Sequence, residues 1–138
     1  MLGLEVNFSS WRQWKDRGSL PGIKCPGVYI LAQFDVMPLG IAEPLDERVV
    51  YIGETCNSSL IGRWRGFDKS ACTGKFGHSG GRTYYKKFQG DTTKLFVAAF
   101  SADSLGENER SPFIRYFERK LIWEYVQKWG EMPPCNLK

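Results

Sequence analysis

Two tyrosine-bearing segments place the strongest constraint on how this chain folds. Residues 27–34 and 49–53 are short, rich in β-branched and aromatic side chains, and bounded by glycine or proline, which is typical of β-strands. The intervening residues 35–48 contain two prolines, one glycine and several acids, and are predicted to form a loop. In an antiparallel hairpin, Tyr29 and Tyr51 would project from one face about 5 Å apart. The pattern therefore predicts a pair of neighbouring phenols.

A helix is predicted directly after the second strand. One of the polar residues 57–59 is placed to cap it, and the helix should continue through Phe67. Leu60, Trp64 and Phe67 share one side at helical spacing and are expected to face the sheet. Arg63 lies at the edge of this apolar stripe, close enough to point towards the two tyrosines.

The last long helix is marked at both ends. Ser111 is expected to be its N-cap, with Pro112 at the first helical position, residues 113–129 as its body and Gly130 at its end. Glu118 lies on or beside the apolar face of this helix. A buried carboxylate without a partner costs several kcal/mol. The position therefore predicts a metal ion or an arginine, such as Arg63 or Arg115, beside Glu118.

The remaining segments are predicted from their glycine content and from the pattern of their β-branched and aromatic residues. Residues 94–100 are expected to form a third strand, preceded by a short strand at 84–88. Residues 73–81 contain four glycines and are expected to form an irregular loop, whose amides either lie against a phosphate or act as a flexible link. Together these elements predict an α/β domain with a small, mostly antiparallel central sheet flanked by helices.

The N-terminal residues 1–24 are expected to form a helical extension of this single domain, which spans residues 1–138. Ser9 or Ser10 would cap a short helix that ends near Gly18. The first residues lack a basic start followed by an apolar stretch, and no apolar run approaches the ~20 residues that span a bilayer. A cytoplasmic protein that does not bind membranes is therefore expected.

Metal and redox chemistry based on cysteine is not favoured by the spacing. No pair of cysteines has the Cys-x-x-Cys spacing that structural zinc sites normally use, so free thiols are expected. The four residues are Cys25, Cys56, Cys72 and Cys135.

Basic residues are concentrated in one part of the chain. Residues 63–87 contain seven lysines and arginines, one acid and several aromatic side chains, whereas the whole chain has a net charge of only +4. Such a segment suits a polyanion, because lysine and arginine displace counterions from phosphates, although a solvated basic surface is the simpler reading. The candidate nucleic-acid contacts are Arg63, Arg65, Lys69, Lys75, Arg82, Lys86 and Lys87.

Taken together, these motifs resemble a known signature. The tripeptides Gly-Val-Tyr at 27–29 and Tyr-Ile-Gly at 51–53 are followed in order by Arg63, Glu118 and Asn136. This order is similar to that of the GIY-YIG nucleases, and the resemblance covers roughly residues 26–138.

The resemblance implies a divalent-metal-dependent endonuclease that uses Mg²⁺ or Mn²⁺, with DNA favoured over RNA. Glu118 would be the metal ligand, and Arg63 would hold the scissile phosphate. Tyr29 is favoured as the general base with Tyr51 as its partner, although the opposite assignment remains open. The products would carry 5′-phosphate and 3′-hydroxyl ends, and a homodimer would be needed for paired cuts.

Three positions leave alternatives open. The family often has a histidine one turn after the arginine, where this chain has Phe67; His78 is therefore either a substitute catalytic base or phosphate ligand, or a solvent-exposed loop residue. Arg65 either contacts the DNA backbone or is simply solvated. Asn136, in a tail expected to run extended across the domain, would lie near Glu118 and orient it.

A domain of the same fold that binds nucleic acid without cutting it is the main alternative function, and a zinc-binding interaction module is a weaker one.

Overall fold

A four-stranded antiparallel sheet lies at the centre of residues 6–136, the part of the chain that the computed structural model describes. The strands are β1 (Arg12–Gln13), β2 (Gly27–Gln33), β3 (Val49–Thr55) and β4 (Leu95–Ser101). Their order across the sheet is β1-β4-β2-β3, and all neighbours are antiparallel. The three longer strands confirm the predicted ones, with small differences at their ends. β3 lies at one edge of the sheet, which matters for the site described below.

Helices cover both faces of this sheet, and the predicted α/β class is confirmed. Helices α1 (Leu60–Thr73) and α2 (Ser79–Phe88) pack on the face that carries Tyr29. Helix α3 (Glu107–Trp129) packs on the opposite face. None of the helices within residues 6–136 is long and apolar enough to cross a membrane. The central strand β2 is buried on both faces, so its side chains connect the two layers.

Helix α1 forms as the sequence predicts. The Ser59 hydroxyl accepts a hydrogen bond from the Gly62 backbone amide at 3.1 Å, which identifies Ser59 as the N-cap among the three candidates. Leu60, Trp64 and Phe67 have no exposed surface. This apolar stripe fixes the rotation of the helix and leaves Arg63 exposed beside it.

Helix α3 begins earlier than predicted, at Glu107 rather than after Ser111. Gly106 is the N-cap residue, and its backbone amide donates to the Glu109 side chain at 3.1 Å. Acids in the first turn are favourable because they complement the positive end of the helix dipole. Pro112 therefore lies inside the helix, and the rule that places proline at the first position was misleading here. The end at Gly130, with a φ of 84°, is confirmed.

The N-terminal segment is not the predicted helix. Residues of β1 pair with β4 at the edge of the sheet, and a short 3₁₀ helix (Trp14–Ser19) follows. Trp14 is buried against Trp64 and Phe67, and its indole Nε1 donates to Asp68 at 2.7 Å. This packing ties the segment to α1, so the tertiary contacts of one tryptophan override local helical propensity. Residues 1–5, on which the expectation about a signal peptide rests, and residues 137–138 at the end of the tail lie outside the described part.

Helix α2 replaces both the predicted strand at 84–88 and part of the predicted glycine-rich loop. Gly80 and Gly81 are buried at its start. A Cβ atom built on Gly81 would lie 2.6 Å from the Ser70 Cβ and 2.8 Å from the Phe67 carbonyl oxygen. Gly81 therefore permits close packing of α2 on α1, and the part of the predicted loop from Ser79 onwards is helical, so it is not a flexible link.

The two helices provide a matched pair of glycine substitutions. Gly81→Ala should destabilise the protein by about 1–3 kcal/mol, because the new methyl group forces α1 and α2 apart. Gly66→Ala lies within α1 with nothing near the added Cβ, and should stabilise the protein by about 0.5–1 kcal/mol. Urea unfolding measures both, and effects of the same sign would contradict the close helix packing.

Candidate active site

The two tyrosines lie on one face of the β2–β3 hairpin, but not directly opposite each other. Tyr29 pairs with Gly53, and Tyr51 pairs with Leu31, so the phenols are diagonal neighbours. Their ring centroids are 6.0 Å apart and the rings are tilted by 43°. The hairpin predicted from the sequence therefore brings the two rings together.

Two glycines leave the space that these rings occupy. A Cβ atom on Gly53 would lie 2.6 Å from Cζ of Tyr29 and 2.5 Å from Cε2 of Tyr51. A Cβ atom on Gly80, at the start of α2, would lie 2.5 Å from Cε1 of Tyr51. Any larger residue at either position would displace a ring. The second tripeptide thus ends in glycine for a steric reason.

The two phenols differ in their access to solvent. Tyr29 has no exposed surface, whereas Tyr51 is partly exposed and lines an open pocket. Burial, with a smaller contribution from Tyr51, raises the pKa of Tyr29 well above its usual value, although Arg63 acts in the opposite direction. Burial also raises the pKa of Tyr51, which Arg63 lowers and Glu118 raises. The geometry thus does not favour Tyr29 as the phenol that contacts a water molecule in the pocket.

His78 lies inside the site and caps helix α2. It is only 6% exposed, so the alternative of a solvent-exposed loop histidine does not hold. Its Nδ1 accepts a hydrogen bond from the Gly81 amide at 3.1 Å, and its Nε2 lies 3.3 Å from the Tyr29 hydroxyl. Burial, together with the positive charge of Arg63, lowers the pKa of His78 to about 4. A neutral ring whose Nδ1 is an acceptor carries its proton on Nε2, which therefore donates to Tyr29.

The open pocket has a volume of about 350 Å³ and brings together side chains from three separate elements. Tyr51 comes from β3, Arg63 from α1 and Glu118 from α3. Because β3 is the edge strand, the pocket can extend around it from the α1 face to the α3 face. Three of the residues in the signature therefore meet in one pocket, and Tyr29 lies directly behind Tyr51.

Glu118 is a half-buried carboxylate without a protein partner. Burial and the nearby Glu54 carboxylate raise its pKa to about 7, although Arg119 lowers it. Within residues 6–136, Glu118 makes no ion pair or hydrogen bond, so the alternative of pairing with Arg63 or Arg115 is not realised. The charge of Arg119 offsets part of its desolvation, but no direct contact within the described residues does so.

Glu54 also lines this pocket, and it is not among the site residues predicted from the sequence. It lies on β3 next to Gly53, and alternation along the strand turns it towards the α3 side, where it lines the same pocket as Glu118. The charged residue directly after the second tripeptide was a signal for this position. On an edge strand such a side chain points either into solvent or into the site.

The residues present fit a hydrated divalent cation. No group of three or more His, Cys, Asp and Glu side chains in the described chain is arranged to enclose a metal. Mg²⁺ usually keeps several waters and binds through one or two carboxylates, which is the donor set that Glu118 and Glu54 offer. The unpaired carboxylate with a raised pKa is the observation that supports this fit.

Asn136 contacts the backbone of β3 and not Glu118. Its Oδ1 accepts from the Ile52 amide and its Nδ2 donates to the Ile52 carbonyl, both at 2.9 Å. The Cys135 amide also donates to the Val50 carbonyl at 2.7 Å. The tail therefore covers the exposed edge of β3 and fixes the backbone on both sides of Tyr51, which differs from the predicted role beside Glu118.

The predicted basic surface consists mostly of exposed side chains on α1 and α2. Arg82 is an exception, because its guanidinium donates to the Phe76 carbonyl and stabilises the loop between the helices. The single acid of the segment, Asp68, bonds to Trp14 and Arg17. The exposed basic residues are Arg63, Arg65, Lys69, Lys75, Lys86 and Lys87.

No protein-family model, curated protein or solved structure matches this chain.

Binding of Mg²⁺ at Glu118 is testable without an activity assay. At pH 8 Glu118 is ionised, and Mg²⁺ at ten times its dissociation constant should stabilise the folded protein by about 1.4 kcal/mol, a shift of several degrees in Tm. Glu118→Gln should remove this shift. Glu124→Gln, which alters a carboxylate paired with Lys120 on the same helix, should keep it.

The same shift should depend on pH. Because the pKa of Glu118 is about 7 in the folded protein, the carboxyl group is protonated at pH 5 and binds Mg²⁺ poorly. The Mg²⁺-dependent change in Tm should therefore appear as the pH rises through 7. An equal shift in Glu118→Gln at pH 8, measured by differential scanning calorimetry, would contradict the ligand assignment.

Proposed function

We propose that this chain is a divalent-metal-dependent endonuclease of GIY-YIG type that hydrolyses phosphodiester bonds in nucleic acid, with DNA as the favoured substrate. One observation carries the proposal. Tyr51, Arg63 and Glu118, which are remote in sequence, line one pocket, with Tyr29 behind it. A phenol, a guanidinium and an unpaired carboxylate are the groups that water activation, phosphate binding and cation binding require.

Arg63 is the residue proposed to hold the scissile phosphate. Its guanidinium is exposed at the mouth of the pocket, and its positive charge lowers the pKa of both tyrosines. A guanidinium can donate two parallel hydrogen bonds to a phosphate and can offset the charge that develops in the transition state. Arg65, two residues further along the helix, is exposed but does not line the pocket.

Tyr51 is the phenol proposed to accept the proton of the attacking water. It is supported from behind by a short series of donors. His78 Nε2 donates to the Tyr29 oxygen, and Tyr29, whose ring centroid lies 6.0 Å from that of Tyr51, acts to lower the pKa of Tyr51 against the larger effect of burial. Tyr29 and His78 therefore act as positioning residues in this proposal. The roles of the two tyrosines are thereby reversed from those favoured by the sequence.

Glu118, with Glu54 beside it, is proposed to hold Mg²⁺ or Mn²⁺. When bound, the cation supplies positive charge that offsets the charge of the phosphate and of the leaving oxygen. The Glu118 charge is one of the factors that raise the pKa of Tyr51, so compensation of this charge also favours the ionised phenol. The exposed basic residues of α1 and α2 would hold the backbone of the substrate.

Cleavage of supercoiled plasmid with and without Mg²⁺ tests the proposal. Glu118→Gln should abolish Mg²⁺-dependent cleavage, and Arg63→Ala should slow it at least ~100-fold, because one lost transition-state contact is commonly worth ~2.7–4 kcal/mol. Arg65→Ala is the matched control and should retain most of the rate. Nucleic-acid binding without any cleavage by the wild type would instead favour a non-catalytic module, and a crippled Arg65→Ala variant would reverse the arginine assignment.

The roles of the two tyrosines can be distinguished by variants that each remove one hydroxyl group. Tyr51→Phe should be the more severely impaired variant, because it removes the phenol that lines the pocket, and its residual rate should no longer rise with pH above about 8, where Glu118 is already ionised. Tyr29→Phe should be impaired less and should keep a rising pH profile, since its hydroxyl acts through Tyr51. Rates measured from pH 6 to 10 decide the assignment: a greater loss in Tyr29→Phe would restore Tyr29 as the base.

A further inference from the structure

Phe76, in the connection between α1 and α2, is held in an exposed and strained conformation. Its ring is 61% exposed, and its φ of 73° lies in the left-handed region. This region is unfavourable for a bulky side chain. Glycines lie nearby at 74 and 77, but the residue at this left-handed position is a phenylalanine. Strain of this kind persists only where surrounding contacts enforce it, and it is concentrated at functional sites.

Two basic residues contact Phe76 in this conformation. The Arg82 guanidinium donates to the Phe76 carbonyl, which fixes the backbone of the loop. The Lys69 ammonium lies 5.8 Å from the centre of the Phe76 ring, on its face. The loop is thus organised to present an aromatic ring to the outside while keeping positive charge beside it.

A groove of about 400 Å³ runs from Phe76 to the candidate active site. Its lining includes Arg63, which also lines the pocket with Glu118, and His78, which contacts Tyr29. Lys69 lies along its wall, and no acidic residue of the described chain contributes to the lining. A ligand in this groove would therefore be anionic, would reach the phosphate position at Arg63, and would meet an exposed aromatic ring.

We propose that Phe76 stacks on one unpaired base of the bound nucleic-acid strand, close to the phosphate held by Arg63. This inference rests on the proposed function and specifies its substrate class as nucleic acid that is single-stranded or locally unpaired near the cut. A phosphate backbone matches the cations of the groove, and a base supplies the flat face that an exposed ring binds. Base faces are hidden in a paired duplex, so the stacked base must be free of its partner.

The proposal is tested by binding in EDTA, where no cleavage occurs. Fluorescence anisotropy measures the affinity for a single-stranded DNA of about 12 nucleotides, in which an abasic site is moved along the strand one position at a time. Phe76→Ala should weaken binding of the intact strand by about 5- to 150-fold, the range for one base stacked on an aromatic side chain. At one position, the abasic site should weaken binding to the wild-type protein by the same factor. The same abasic site should not weaken binding to Phe76→Ala any further, which is the coupling expected for two groups in contact.

Three variants control this experiment. Phe76→Gly relieves the backbone strain, so it should remain folded and still lose the coupling. Trp123→Ala removes an aromatic side chain of similar exposure, 62%, from α3 on the opposite face of the sheet, and should leave affinity and coupling unchanged. Lys69→Ala should lower the slope of log affinity against log salt concentration by about 0.7, whereas Phe76→Ala should leave the slope unchanged.

The outcomes separate this inference from the catalytic proposal. Salt-dependent binding with no abasic position coupled to Phe76 overturns the stacking role and leaves the nuclease proposal intact. Coupling at one position in a protein that never cleaves DNA supports stacking and contradicts catalysis. Equal losses in Phe76→Ala and Trp123→Ala, or wild-type affinity that is equal for single-stranded and duplex DNA, would overturn the stacking inference.

Discussion

The site depends on the close packing of two tyrosine rings against backbone that carries no side chain. Gly53 on β3 and Gly80 on α2 lie so near the rings that a single added methyl group at either position would overlap Tyr51. Their packing fixes the angle of the phenols, the position of the start of α2 against β3, and the placement of His78 beside Tyr29. The geometry of the candidate site and the packing of α2 are consequently one structural feature, and a change in one disturbs the other.

Burial sets the resting charge of this site. The pKa values of Tyr29, Tyr51 and Glu118 are raised and that of His78 is lowered, in each case first because burial disfavours the charged form. In the proposed function, a cation at Glu118 would supply the charge that this half-buried carboxylate lacks, and a phosphate would bind the exposed Arg63. A carboxylate without an ion pair at the edge of β3 distinguishes the pocket from a structural ion-pair network.

Much of this arrangement could be predicted from the sequence because the signals were local. Alternation marked the strands, a polar cap and an apolar stripe marked α1, and Gly130 marked the end of α3. The parts that could not be predicted depend on tertiary packing. The first glycines of α2 suggested a loop until their contacts with α1 and Tyr51 were known. Burial of Tyr29 behind Tyr51, and the two hydrogen bonds of Asn136 to Ile52, follow from how the layers and the tail assemble.

In the proposed function, a neutral His78 directs its Nε2 proton to Tyr29 and so orders the two phenols relative to the pocket. His78 is the only histidine in the chain, so ¹⁵N NMR of the imidazole reports on it without ambiguity. We predict that His78 is the Nε2–H tautomer at pH 7. Its titration midpoint should lie near pH 4, because burial lowers the pKa of His78 to about 4. A midpoint near the ordinary value of about 6.5, or a proton on Nδ1 at pH 7, would contradict it.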